Sequence, residues 1–256
     1  MDEKTNVDVD TPSNMCVPIY DGQALDDDDG VKAFIGTGTL IGYREHLLLM
    51  TARHCLDEHP IIAVGGFNPP LLMRRSLHNE VTTKTTLDLE FIDLGRFSEI
   101  PRPDLFKCIM WSSVSKHEPC FKPSHCRIFG YPATNNSADI AKETLNTNLV
   151  VVDVAEDVNA LKYVLSSEIK DQKAYYIGMR YDPRLLEPSK KKRPKIKSFN
   201  GFSGGAIWRL GMDDISDFIG IMCECHSPEP TPHGEYILYG INVLGIDKLL
   251  KERYSS

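Results

Sequence analysis

From residue 33 onward, apolar positions come in short runs broken by Gly, Pro, Asn and Asp. Runs of roughly four to eight such residues read as strands rather than helices. The pattern predicts strands over 33–43, 47–52, 61–65, 87–94, 107–111, 126–129, 148–154, 174–180, 205–210, 218–223 and 236–243. Many short strands at this spacing point to an all-β sandwich or a pair of barrels. Only the segment from Gly245 to Tyr254 reads as an amphipathic helix, with Ile246, Leu249 and Leu250 on one face. The segment from Val158 to Ile169 fits helix and strand equally. No internal repeat is visible.

Residues 1–14 are polar and acidic and read as a flexible tail. The segment Ser112–Pro123 is mostly polar, carries Pro119 and Pro123, and suits a linker. It divides the chain into an N-terminal half, 15–115, and a C-terminal half, 116–256. A length of 256 residues gives each half enough chain for its own core.

Charge and cysteine content narrow the function classes. A formal net charge of −7 argues against a general nucleic-acid binder, since phosphate contacts need a basic footprint. The first residues lack a cationic start followed by an apolar run, and Leu47–Met50 is too short to span a bilayer. Seven cysteines without a regular framework suit a reducing compartment. The expectation is a cytoplasmic protein that does not engage membranes. Asp26–Gly30 reads as a solvated turn, with a calcium site as the alternative.

Three segments carry candidate chemistry. In Gly201-Phe202-Ser203-Gly204-Gly205, glycines flank a serine and let the backbone turn sharply. Glycine and serine also compose linkers, but Ala206-Ile207-Trp208 follows at once and is strand-like. In Leu48-Leu49-Met50-Thr51-Ala52-Arg53-His54-Cys55, an apolar strand ends at a histidine, placing an imidazole on a rigid base. In Leu87-Asp88-Leu89-Glu90-Phe91-Ile92-Asp93-Leu94, Asp88 opens a strand and Asp93 lies late in it. A hydroxyl nucleophile needs a base, an anion that orients the base, and preorganised donors for the oxyanion. Ser203, His54 and Asp88 supply the hydroxyl, the base and the anion, with Asp93 the competing acid. The amides of Gly201 and Ser203 are the candidate oxyanion donors.

The order His54, Asp88, Ser203 resembles the trypsin-like, chymotrypsin-fold serine peptidases. Gly36–Ile41 followed by Leu49–Cys55 is similar to that family's first motif, Asp88–Leu94 to its aspartate motif, and Gly201–Ala206 to its serine motif. Phe218–Ile221 resembles the strand lining the substrate cleft, and Ile246–Tyr254 the terminal helix. The resemblance covers roughly residues 15–254 and implies two antiparallel six-stranded β-barrels with a C-terminal α-helix. The implied activity is endopeptidase chemistry through an acyl-enzyme, with no cofactor or metal.

Departures from the family pattern carry their own expectations. Secreted members pair the cysteine after the histidine with one in the preceding strand; here Cys55 faces Gly36, so that disulfide should be absent. Zymogens carry Asp before the serine to pair with a new N-terminal amine. Phe202 stands there, so no such ion pair should switch this protein on. The Gly-Phe-Ser-Gly-Gly form and Tyr175–Tyr181 are similar to intracellular bacterial members. The family's specificity position, six before the serine, falls on Lys197, which would favour an acidic side chain unless the loop is remodelled. Cys223, Glu224 and Cys225 should wall the pocket, where Glu224 would oppose an acidic substrate. Cys223, Cys225 and His226, with Cys120, His125 and Cys126, are an alternative zinc set, though their spacing is no recognised zinc pattern.

The basic run Lys190–Lys197 reads as a solvated loop or, alternatively, a segment that orders on partner binding. The expected partners are a protein or peptide substrate and an activating protein. Limited, regulated cleavage, a partner-activated defence or stress effector, and a catalytically silent protease-fold binding module are the functional alternatives.

Overall fold

The computed structural model describes residues 12–23, 33–66, 70–74, 87–100, 107–114, 125–133, 137–139, 144–146, 148–157, 159–164, 172–182, 198–210, 215–226 and 235–254. The N-terminal half contributes β1 (Cys16–Asp21), β2 (Phe34–Tyr43), β3 (His46–Thr51), β4 (Ile61–Val64), β5 (Leu71–Arg74), β6 (Glu90–Arg96) and β7 (Ile109–Met110). They form one seven-stranded sheet, ordered β5-β4-β1-β2-β3-β6, with β7 beside β2. The C-terminal half contributes β8 (His125–Gly130), the hairpin β9 (Ser137–Asp139) and β10 (Thr144–Asn146), β11 (Val150–Glu156), α1 (Leu161–Val164), β12 (Tyr176–Tyr181), β13 (Ala206–Leu210), β14 (Ile215–His226), β15 (Tyr236–Asn242) and α2 (Val243–Tyr254). Six of these strands close a barrel in the order β11-β12-β15-β14-β13-β8.

The architecture is therefore a closed six-stranded barrel beside a half-barrel sheet. The second half closes as expected. In the first, among the described residues, β5 and β6 end the path unpaired with each other, and β7 pairs parallel rather than antiparallel.

The run Leu47–Met50 lacks strand alternation because both of its faces are buried. Leu47 and Leu49 join Val17, Ile19, Leu40 and Ile62 in the core of the N-terminal half. Leu48 and Met50 face the other way, into a core shared with Phe91, Phe129, Ile221 and Ile246. One strand thus serves two cores, and the shared core joins the halves.

The sequence pattern does not predict β1, because Pro18 interrupts it. A central strand tolerates this proline for a local reason. β4 pairs with β1 over Ile62–Val64 opposite Asp21–Ile19, so Pro18 lies past the end of β4. Its missing N–H faces the β4 side, where it removes only the last reciprocal bond of that pairing, and its carbonyl still accepts the Gly65 amide at 2.9 Å. The ambiguous stretch 158–169 contains α1; its remainder lies outside the described residues, as do Asp26–Gly30 and Lys190–Lys197.

α2 starts two residues earlier than the pattern predicts because Asn242 caps it. The Asn242 side-chain oxygen accepts the amides of Leu244 (3.0 Å) and Gly245 (3.1 Å). The helix buries Val243, Ile246, Leu249 and Leu250 and reaches back to the N-terminal sheet. Trp111 Nε1 donates to Asp247 (3.2 Å), Arg253 donates to the Phe91 carbonyl (2.9 Å), and Tyr254 donates to Asp93 (3.3 Å). Among the described residues no helix is long and apolar enough to cross a membrane.

Phe202 belongs to the core of the closed barrel. It is fully buried, its ring centroid lies 5.3 Å from that of Phe199, and Phe199 in turn packs on Tyr181 and Tyr236. Gly130 makes room for it, since a Cβ there would stand 2.5 Å from the Phe202 ring. Phe202→Asp would remove that packing and bury an unpaired carboxylate. We expect a destabilisation of at least ~4 kcal/mol in denaturant unfolding; a loss below ~1 kcal/mol would contradict this account of the cluster.

Candidate active site

His54 stands at the exit of β3. Ala52 is still extended, and a single 3₁₀ turn, Arg53–Cys55, follows, closed by Cys55 N–H to the Ala52 carbonyl (3.1 Å) and Leu56 N–H to the Arg53 carbonyl (2.8 Å). Cys55 and Leu56 are buried and anchor the turn, leaving the imidazole nearly half exposed. Asp88 is anchored on both sides by buried Leu87 and Leu89. It lies in a bend two residues ahead of β6, rather than opening the strand. One carboxylate oxygen accepts the His54 backbone amide (3.1 Å) and the other accepts His54 Nδ1 (2.7 Å). Two bonds to one residue fix both the position and the plane of the ring. Its Nε2 then lies 3.3 Å from Ser203 Oγ.

Asp93 is not the acid of this group. It bonds to His46 Nδ1 (2.9 Å) and accepts the Tyr254 hydroxyl (3.3 Å), a structural contact between β3, β6 and α2.

The serine segment gains its shape from two glycines in the left-handed region, Gly201 (φ 93°) and Gly204 (φ 92°). A Cβ on Gly204 would lie 1.8 Å from the Thr37 carbonyl oxygen, so no other residue fits against β2 there. The amides of Phe202, Gly204 and Gly205 each have a backbone acceptor. Among the described residues those of Gly201 and Ser203 have none. The preceding carbonyls are pinned: Asn200 O accepts the Ala133 amide (2.8 Å) and Phe202 O accepts the Gly205 amide (2.9 Å). In a trans peptide the N–H points opposite to the C=O, so these bonds hold both free amides in fixed directions. A pair of unpaired donors flanking the serine hydroxyl suits a developing negative charge.

Beyond Met222, β14 runs past the start of β13; Cys223 sits at a register shift, and residues 224–226 pair, among the described residues, with β15 alone. Among the described residues one backbone edge beside the serine segment therefore has no paired strand. Cys223 is buried, and its thiol donates to the Asp88 carbonyl oxygen (3.3 Å). Burial first, then the Asp88 charge, holds that thiol well above its usual pKa. Glu224 is exposed, and its carboxylate accepts the Tyr239 hydroxyl. Burial and this carboxylate push the Tyr239 phenol well above its ordinary value. Cys225 is partly exposed on the same edge.

Lys197 and Cys120 lie outside the described residues, so the acidic-pocket and six-residue zinc expectations are not joined to this site. Among the described residues no group of three or more His, Cys, Asp or Glu is arranged to hold a metal ion. Cys126 donates to Glu156 (3.5 Å). Cys55 is a free thiol, and a Cβ on Gly36 would lie 3.2 Å from its sulfur. Sequence reasoning missed Thr37, Thr39, Thr51 and Tyr131, which hold the serine segment from behind. Their only signal was that three buried hydroxyl residues sit in or beside the first motif.

The hydrogen bond from His54 to Asp88 favours the charged imidazole. Together with the Cys55 side chain, and against partial burial, it raises the pKa from 6.5 to about 10. Protonated His54 thus stabilises the fold fully below 6.5, and that contribution is lost as pH rises through the folded value. A base must be neutral to act, so kcat/KM is expected to climb with pH along an acid limb above 6.5. Asp88→Asn should lower that limb and reduce kcat. A limb unmoved by Asp88→Asn in pH–rate profiles would overturn the assignment.

No family model matches the sequence, and no curated protein matches it. Solved structures do. The protease Rv3671c in an inactive form aligns with a TM-score of 0.51 at 13% identity, covering 94% of this chain and 89% of that one. The serine endoprotease from Yersinia pestis aligns at 0.49 and 12% identity, covering 94% of this chain and 63% of its own. The MamO protease domain from Magnetospirillum magneticum, in its apo form, aligns at 0.48 and 10%, covering 94% and 97%. At such identities a likeness speaks to architecture, and on the Rv3671c alignment this chain has the trypsin-like serine protease fold.

Proposed function

We propose that the chain is a serine endopeptidase. The observation that carries the reading is the unbroken line from Asp88 Oδ2 to His54 Nδ1 (2.7 Å) and from His54 Nε2 to Ser203 Oγ (3.3 Å). In this reading Ser203 Oγ attacks the scissile carbonyl carbon while its proton passes to His54 Nε2. Asp88 holds the ring and stabilises the imidazolium. The negative charge on the former carbonyl oxygen is taken by the Gly201 and Ser203 amides. The C–N bond breaks as Nε2–H protonates the leaving amine, leaving an ester on Ser203. Water, deprotonated by His54, then attacks that ester and regenerates the hydroxyl.

The open edge of β14 at 223–226 would take the substrate as an added antiparallel strand. Glu224, exposed there and held by Tyr239, has no cationic partner among the described residues. It favours a substrate carrying a basic side chain beside that edge. Limited cleavage of a protein target, an activating protein partner and a cytoplasmic site of action remain part of the proposal. The buried thiols Cys16, Cys55, Cys126 and Cys223 suit that compartment. The silent-module alternative is not favoured by any observed contact.

A fluorophosphonate probe tests the chemistry. The wild-type protein should label at one residue, Ser203→Ala should abolish labelling, and His54→Ala should slow it by roughly 10²–10⁴-fold. Labelling that survives Ser203→Ala would exclude Ser203 as nucleophile. For specificity, Glu224→Lys should lower the kcat/KM ratio of a lysine- over a glutamate-bearing peptide several-fold, as expected for an ion pair of ~1 kcal/mol. An unchanged ratio across a peptide library would remove Glu224 from recognition.

A further inference from the structure

Thr37 lies in β2, in the opposite half of the molecule from the serine segment, and is fully buried. Every polar group it has is used. Its amide donates to the Ser203 carbonyl (3.0 Å), and its carbonyl accepts the Thr51 hydroxyl (2.8 Å). Its own hydroxyl accepts the Tyr131 amide (2.9 Å) and donates to the Gly201 carbonyl (2.7 Å). Two residues along β2, the Thr39 hydroxyl donates to the Gly204 carbonyl (2.8 Å).

We propose that the Thr37 hydroxyl is the positioning group that sets the oxyanion site, doing with two neutral hydrogen bonds what a buried ion pair does in proteases activated by cleavage. This rests on the serine-peptidase reading above. A hydroxyl has one proton. Because Thr37 Oγ1 accepts the Tyr131 N–H, its proton is left for the Gly201 carbonyl and the polarity of the chain is fixed. Gly201, at φ 93°, is conformationally permissive, so its flanking peptides keep their orientation through the hydrogen bonds they make, the second of them also through the Phe202 amide to the Phe199 carbonyl (3.0 Å). One carbonyl, of Asn200, is held by Ala133 and the next, of Gly201, by Thr37. Tyr131 and Ala133 belong to the same connection after β8. Thr37 therefore ties three pieces together: β2, that connection, and the segment presenting the two free amides.

Thr37 is not a catalytic residue: it touches no reacting atom and acts through Gly201. Removing its hydroxyl strands one buried donor and one buried acceptor at once. A shift of the Gly201–Phe202 peptide relieves this and, through the φ and ψ of Gly201, displaces the neighbouring peptide that presents the Gly201 N–H.

The test compares Thr37→Val, which keeps the shape and loses the hydroxyl, with Thr37→Ser, which keeps the hydroxyl. Thr37→Val should lose roughly 10²–10³-fold in kcat, the usual effect of removing one oxyanion donor, with KM changed less than several-fold. Affinity for a peptide boronate should fall in parallel, while affinity for an uncleaved peptide should not. Thr37→Ser should restore kcat to within several-fold of wild type. If Thr37→Val does not fold, Thr37→Cys, a weak donor of similar size, should give an intermediate kcat. A wild-type kcat in Thr37→Val or Thr37→Cys overturns the proposal. So does a Thr37→Ser protein as impaired as Thr37→Val, because shape rather than the hydroxyl would then matter. A wild-type protein that neither labels nor turns over removes the peptidase reading and this inference together; an active wild type with an indifferent Thr37 removes this inference alone.

Discussion

The two halves of the molecule meet through backbone. The amide of Thr37 in β2 donates to the carbonyl of Ser203 at 3.0 Å, so a strand of one half is bonded to the serine segment of the other. Much else follows from that close approach. Gly204 must lack a side chain because the Thr37 carbonyl occupies its place, and Gly36 has the Ser203 carbonyl and the Cys55 sulfur each 3.2 Å from where its own Cβ would stand. Thr37 and Thr39 must be polar although fully buried, because unpaired carbonyls of the segment face them. The serine is placed relative to the histidine by these contacts, since His54 follows β3 and β3 is the hairpin partner of β2. Geometry at the site is thus set by short, rigid paths through neighbouring strands.

The sequence disclosed the parts of this arrangement that are local. The runs that became β2, β3, β8, β13, β14 and β15 could be read from apolar spacing, and His54, Asp88 and Ser203 from motifs within a few residues of each. It did not disclose which acid of 88–94 faces the imidazole on spacing grounds, because Asp88 and Asp93 differ only in register. Docking of Leu87 and Leu89 decides it for one, and His46 with Tyr254 claims the other. β1 stayed hidden because Pro18 is acceptable only where a neighbouring strand has ended. Thr37 stayed hidden because its partners Tyr131 and Gly201 are 94 and 164 residues away. Bonds that long in sequence leave no periodic trace.

Phe202 shows how one substitution in a motif redistributes a fold's energetics. An aspartate before the serine would need a cation delivered to the interior. A phenylalanine needs only apolar walls, and Phe199, Tyr181, Tyr236 and the bare backbone of Gly130 provide them. The segment is then held by burial on one side and by neutral hydrogen bonds on the other. Among the described residues neither contact involves a terminal amine.

The reach of α2 back to β6 has a mechanical meaning. Arg253 holds the Phe91 carbonyl, and also lies 3.6 Å from Glu90, whose strand begins two residues after Asp88. The helix, rooted in β15 of the closed barrel, is a strap across the back of the seam between the halves. A strapped seam resists hinging between the halves. In the peptidase reading proposed above, a site that does not hinge would favour polypeptides able to lie extended, and a folded protein only where it already offers a loose segment.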